Sequence, residues 1–252
     1  MINTDFFVNR YTVRQYEQRK IDLDTIKQML KAASHAPNTG NMQWYSVVIT
    51  RDKDAKANLA PAHFNQPSVT GASAVLTFCI DLRRFEQWCR ISNAEPGFDN
   101  FQSFVAGIID TTIFTQQFVT IAEMNGFGTC YLGTTTYNAP QIAAALNLPD
   151  RVVPVTTITL GYPLCAGKPS WRLDIDSLVH DEIYRDLTDD DVRQYYSSLD
   201  NDESSRGFIE QNNKQTLAQV FTDVRYPRES AEYFSKVYAD FLKHNNFLSE
   251  DL

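Results

Sequence analysis

The stretch from Phe104 to Met124 constrains this chain more than any other segment. Apolar residues recur there at helical spacing, and they predict a helix from about Asn100 to Asn125 that ends at Gly126, a C-cap glycine. Phe101, Phe104, Val105, Ile108, Ile109, Thr112, Ile113, Phe118, Val119 and Ala122 mark a wide apolar face. Asp110, Gln116, Gln117 and Glu123 interrupt the run, so the expectation is the core helix of a water-soluble fold and not a membrane span.

Shorter elements surround this rod. A helix is expected from about Asp22 to Ser34, where Ile26, Met29, Leu30 and Ala33 recur behind an aspartate able to cap it. It stops at Ala36-Pro-Asn-Thr-Gly-Asn41, a loop by its chemistry, since proline disfavours helix before it and Gly and Asn tolerate positive φ. Strands are expected at Tyr45–Thr50, Ala74–Ile80, Thr129–Leu132 and Val152–Leu160, with a helix at Pro140–Leu146 capped by Asn138. Strands alternating with helices imply an α/β or α+β layer around one sheet. The tail from about Ser230 to Asn246 returns to helical spacing. No repeat, low-complexity tract or flexible linker divides the 252 residues, so one domain is expected, with an excursion from about 174 to 252.

Charge narrows the possible partners. Asp and Glu number 31 against 23 Lys and Arg, a net charge of -8, which argues against nucleic-acid binding because phosphate neutralisation needs clustered cations. Eleven of the acidic residues lie between Asp174 and Glu203, beside only Arg185 and Arg193. The N-terminus lacks a signal-peptide pattern, and Cys79, Cys89, Cys130 and Cys165 are far apart, which suits a reducing cytoplasm.

Familiar catalytic signatures are missing: no Gly-x-Ser-x-Gly elbow, no His-Glu-x-x-His, no Walker loop. Gly126-Phe-Gly-Thr-Cys-Tyr-Leu-Gly133 has the wrong spacing for a dinucleotide fingerprint, and four dispersed histidines read as surface or core residues. Two basic segments stand out, Arg10-Tyr-Thr-Val-Arg14 and Lys168-Pro-Ser-Trp-Arg172. Brought together, their guanidinium groups with the hydroxyls of Thr12 and Ser170 would make a phosphate site; apart, they are ordinary solvated arginines.

These segments also carry a resemblance. Arg10-Tyr-Thr-Val-Arg14 resembles the Arg-Arg-Ser-x-Arg opening of the nitroreductase family, and Ala36-Pro-Asn-Thr-Gly-Asn-Met-Gln-Trp44 resembles its Ala-Pro-Ser-Ser-x-Asn-x-Gln-Pro-Trp loop. Gly126–Gly133 looks like its Gly-x-Gly strand entry, and Gly161-Tyr-Pro with Lys168, Arg172 and Leu178-Val-His180-x-x-x-Tyr184 is similar to its closing segment. The resemblance spans essentially the whole chain, and the long extension is similar to the larger, NADPH-preferring nitro and flavin reductases.

The resemblance implies an α+β nitroreductase-like fold: a central, mostly antiparallel sheet flanked by helices, in an intimate homodimer with FMN at the subunit interface. Arg10 and Arg172 would bind the FMN phosphate, assisted by Thr12 and by Lys168 or Ser170. Arg14 would stabilise charge developing on the pyrimidine edge of the flavin. Asn38, Thr39 and Asn41 would reach the flavin from the other subunit, Gln66 would hydrogen-bond the ring, and Tyr131, Leu132, Gly133 and Thr134 would run beneath it. Tyr11 stands where many members of the family have a second arginine or a histidine, so one phosphate or ribityl contact is either absent or supplied by backbone, and Trp171 stands where proline is common. Arg206, Arg225 and Arg228 are the candidates for NADPH. The implied reaction is ping-pong hydride transfer from NADPH or NADH, through FMN, to quinones, nitroaromatics or flavins, with no obligatory protein acid or base. Dehalogenation or flavin fragmentation on the same fold, and a non-enzymatic FMN-binding role, are the alternatives.

Overall fold

A computed structural model describes residues 4–249. By compactness it divides into two units, Met1–Lys168 with Phe234–Leu252, and Pro169–Tyr233.

The first unit is built on a sheet of four strands among the described residues, β1 (Tyr45–Thr50), β2 (Ala74–Asp81), β3 (Gly128–Leu132) and β4 (Val152–Gly161), in the order β1-β2-β4-β3. Every pairing is antiparallel, and a bulge at Phe78/Cys79 shifts the register of β2 on β4. All eight residues of β2 are buried, because helices cover both faces of the sheet. This explains its near-continuous apolar sequence, which departs from the in-and-out alternation of a half-solvated strand. Before the sheet come the short α1 (Asp5–Val8) and α2 (Leu23–Ala33).

One face carries α2 and α6 (Phe101–Met124), the expected core rod, about 36 Å long at 1.5 Å per residue. Ile26, Met29 and Ala33 of α2 meet Phe114, Phe118, Val119 and Ala122 of α6 over Leu76, Phe78, Ile158 and Leu160. The other face carries α3 (Lys53–Leu59), a 3-10 turn (Ala60–His63), α4 (Pro67–Gly71) and α7 (Ala139–Ala145), which close over Val75, Cys130 and Leu132. The helix α5 (Leu82–Ile91) follows β2 directly.

The termini of α6 obey local chemistry. The side chain of Asn100 accepts from the Ser103 amide at the start, and Gly126 takes φ +80° just past the end. By length and composition α6 could cross a membrane, but its packing against α2 and the sheet makes it a core helix. The predicted apolar face is only partly the buried one: Phe104, Phe118, Val119 and Ala122 point inward, whereas Phe101 and Ile109 are about half exposed. Asn138 precedes α7 as expected but does not cap it; its amide donates instead to the Ala62 carbonyl at 2.8 Å.

The C-terminal tail is held by an arginine that sequence reading passes over. Arg151, buried and left-handed at φ +70°, donates to Glu86, Phe98, Asn245 and Asn246 and lies 4.3 Å from the centre of the Phe247 ring. In the second unit, α8 (Asp189–Asp200) starts with a Thr188/Asp191 capping box, as its three leading aspartates favour, and α9 (Glu203–Gln211), α10 (Leu217–Gln219) and a π-helical turn (Val220–Arg225) follow. The last helix, α11 (Arg228–His244), enters the first unit at Phe234.

Candidate functional site

The segment from Arg10 to Glu17 has no strand assignment, yet it is bonded along the β3–β4 edge. The Val13 amide donates to Thr129 O at 2.9 Å, Glu17 N to Tyr162 O at 2.9 Å, and Leu164 N to Gln15 O at 3.0 Å. Glycines make the approach possible. Gly128 and Gly161 face each other across β3 and β4; a Cβ on the first would sit 2.6 Å from Val13, and on the second 2.5 Å from Tyr16. A Cβ on Gly167 would meet the Tyr11 ring at 2.3 Å. The spacing Gly126-x-Gly128, wrong for a dinucleotide loop, therefore has a packing role: Gly126 ends α6 and Gly128 admits Val13.

With Val13 and Tyr16 turned inward, the cations of this segment are left at the rim. Tyr16 bonds Val13 O and Thr159 Oγ1, both at 2.7 Å, and burial pushes its phenol well above the usual range. Arg14 is exposed and has no hydrogen bond or ion pair among the described residues. Arg10 is half-buried and paired with Glu123, its Nε lying 2.9 Å from Oε2 and its Nη2 donating to Oε1 at 3.0 Å. Tyr11 and Thr12 are half-buried.

The Ala36–Asn41 loop is pinned to α6. Asp110, 2% exposed in the middle of the apolar helix, accepts from the Thr39 amide with both oxygens and from Thr39 Oγ1, all at 3.0 Å. Gly40, Asn41 and Gln43 all take left-handed φ between +53° and +56°, a strained path that this carboxylate anchors. Asn38 Oδ1 accepts from Gln43 N at 3.2 Å, and Asn41 Oδ1 from Gln43 Nε2 at 3.3 Å, so both asparagines also brace the loop. Thr39 and Asn41 are both exposed, but Thr39 spends its hydroxyl inward on Asp110.

The turn carrying Gln66 is latched to the end of β3. His63 Nδ1 lies 2.7 Å from Thr134 Oγ1, and Asn138 ties Ala62 to the same loop. His63 is fully buried with Nε2 unpartnered, and burial lowers its pKa to about 4, so the ring is neutral. Gln66 is half-buried, and its side-chain amide has no partner among the described residues. Of the four residues expected under a ligand, Leu132 is core and Thr134 faces His63, while Tyr131 and Gly133 are exposed. The carbonyls of Leu132 and Thr134 are spent within the turn, accepting from Thr135 and from the Asn138 amide. Tyr131 lies at the border of exposure, its hydroxyl donates to Gln116, and the burial it does have raises its pKa to about 12.

Lys168 closes the first unit, and Ser170 and Arg172 belong to the second; all three are exposed, and among the described residues the Arg172 side chain bonds only the Ser170 and Trp171 carbonyls. Arg206 bonds Asn201, Arg228 pairs with Glu232, and Arg225 lies 4.5 Å from the centre of the Phe208 ring.

The first unit thus offers guanidinium groups and amides on braced loops, with no cluster of three or more His, Cys, Asp or Glu able to hold a metal among the described residues. Cys79 and Cys130 are buried thiols with raised pKa values and make poor nucleophiles. Asp110, His63 and Glu123 escaped the sequence reading as site residues. The signal was present for two of them, a carboxylate inside an otherwise apolar helix, but it served only as an interruption of the pattern.

Comparison with known proteins gives this arrangement a context. The model of the nitroreductase family matches residues 8–162. A protein named Cr(VI) reductase from Pseudomonas sp. strain G-1 is 27% identical over 227 residues, covering 87% of this chain and 91% of that one. The FMN reductase (NADPH) of Bacillus subtilis strain 168 is 26% identical over 193 residues, covering 75% and 78%. Among solved structures, a Bacteroides fragilis NCTC 9343 protein described as an oxidoreductase superposes with a TM-score of 0.95 at 45% identity, covering 97% of this chain and 100% of that one.

Proposed function

The chain belongs to the nitroreductase family and is an FMN-dependent NAD(P)H oxidoreductase, and we propose that it works by ping-pong hydride transfer to quinones, nitroaromatics or flavins. The observation that carries the proposal is the Arg10–Arg14 segment, docked on paired glycines so that one cation is unpartnered and another is fixed. Bound FMN would supply the two-electron relay between the nicotinamide donor and the acceptor. The donor set fits that group: an anionic phosphate and an electron-accepting pyrimidine edge both call for fixed cations, and the ring edge for amide donors.

In this reading Arg10 and Arg172 hold the phosphate, with Thr12, Tyr11 through its backbone, and Lys168 or Ser170. Arg14, free of competing carboxylates, stabilises negative charge on the pyrimidine edge. Gln66 and the backbone of Tyr131, Leu132, Gly133 and Thr134 border the ring. Asn38, Thr39 and Asn41 act across a homodimer interface, with Asp110 bracing their loop. Arg206, Arg225 and Arg228 are the candidates for the NADPH phosphate. The whole chain, 1–252, acts as one functional domain in the cytoplasm. The dimer reading is supported by apolar side chains left in water: Phe101, Ile109 and Ile113 on α6, and, within the second unit, Ile175, Leu178, Val179, Ile183 and Tyr184.

The test is an absorbance spectrum of the purified protein before and after NADPH. Flavin bands that bleach and then recover with a quinone or nitroaromatic support the reading; flavin that bleaches with dithionite but not with NADPH or NADH refutes it.

A further inference from the structure

Arg10 is gripped on one side only. A guanidinium is a planar fork with five N–H groups, and Glu123 takes the edge formed by Nε and Nη2. Nη1 has no acceptor among the described residues, so the edge formed by Nη1 and Nη2 is free. Glu123 is itself held: Thr129 Oγ1 donates to the same Oε1 at 2.5 Å, and Thr129 is fully buried in β3. The carbonyl of Thr129 receives the Val13 amide at 2.9 Å. Arg10, Val13, Thr129 and Glu123 therefore form a closed ring in which Val13 directly, and Arg10 through Glu123, are tied to one strand residue. Glu123 occupies the last turn of α6, where the helix dipole disfavours a carboxylate, and the hydrogen bonds from Arg10 and Thr129 offset that cost.

We propose that Glu123 is a positioning residue that fixes which edge of Arg10 meets the cofactor phosphate, and so makes the chain select the phosphorylated flavin over riboflavin. The inference rests on the reading of Arg10 as a phosphate ligand. Its physical basis is preorganisation. A long arginine side chain loses rotamer freedom when it binds, and one held side-on by a carboxylate has lost most of it beforehand. The two edges diverge, so the guanidinium stands between the carboxylate and an arriving phosphate and limits their repulsion.

Apo-protein titrated with FMN and with riboflavin, followed by flavin fluorescence, tests this. Glu123→Ala is expected to lower FMN affinity by about tenfold, with Glu123→Gln in between, while riboflavin affinity stays unchanged. In an Arg10→Ala background the Glu123→Ala effect on FMN should vanish. Equal losses for both flavins would mean that Glu123 supports only the fold, and tighter FMN binding would mean that it competes with the phosphate; either result overturns the proposal. Unchanged FMN affinity in Arg10→Ala alone would remove the phosphate reading of Arg10, and Glu123's role with it, whereas wild-type protein that binds neither flavin would refute the cofactor reading itself. If Glu123→Ala does not fold, Glu123→Gln, which keeps an acceptor for Thr129, carries the same comparison.

Discussion

Single residues set the electrostatic conditions of the candidate site. His63 is buried and neutral, with its pKa lowered to about 4, whereas an unfolded histidine titrates near 6.5. Below pH 6.5 the unfolded chain takes up a proton that the folded ring refuses, so stability falls from pH 6.5 down to about 4. Urea unfolding at pH 7 and pH 4.5 should show this loss in the wild type, and His63→Asn should lessen it by on the order of 2 kcal/mol. Asp110 is the other decisive residue. Asp110→Ala leaves the Thr39 amide and hydroxyl without their acceptor, at a cost of about 1–3 kcal/mol. Hydrogen exchange should then show the Thr39 amide exchanging much faster than in the wild type, with the amides of the β2 centre unchanged. No spacing in the sequence links Asp110 to Thr39. They lie 71 residues apart and meet only because α6 packs beneath the loop.

At the scale of elements, pairing and packing decide where the basic segment lies. Gly161→Ala would drive a methyl group into the Tyr16 ring, and overpacking of this kind costs about 1–3 kcal/mol. The expected result is a lower melting temperature together with weaker FMN retention, because Arg10 and Arg14 ride on the displaced segment; full flavin occupancy in a stable Gly161→Ala protein would contradict it. The sequence showed the helices and strands well, since α2, α6, β1, β2 and β4 follow from periodicity and β-branched runs. The short helices α3 and α4, and α5, fell outside the reading: two have under two turns, and α5 follows β2 without a loop to announce it. The docking of residues 10–17 along β3 and β4 was also invisible, because these contacts join chain positions more than a hundred residues apart.

At the scale of the whole molecule, two structural features await test. Arg151 ties the C-terminal tail to α5 and to the loop before α6, and Arg151→Ala would strand the half-buried Glu86 carboxylate and the tail carbonyls, at a cost of about 1–3 kcal/mol. Its melting temperature should fall, and limited proteolysis should cut first near Asn245. For assembly, Ile109→Glu on the exposed side of α6 should give a monomer in light scattering if that face joins two copies; an unchanged dimer would move the interface elsewhere. The sequence by itself determined the α6 rod, the order of elements, the glycine positions and the two basic segments, because helical periodicity, capping and backbone permissiveness are local properties. Only the tertiary structure decided that Glu123 grips Arg10, that Asp110 pins Thr39 and that His63 meets Thr134. Each of those pairs is made by how elements pack, and the same side chains elsewhere on the fold would be ordinary surface or core residues.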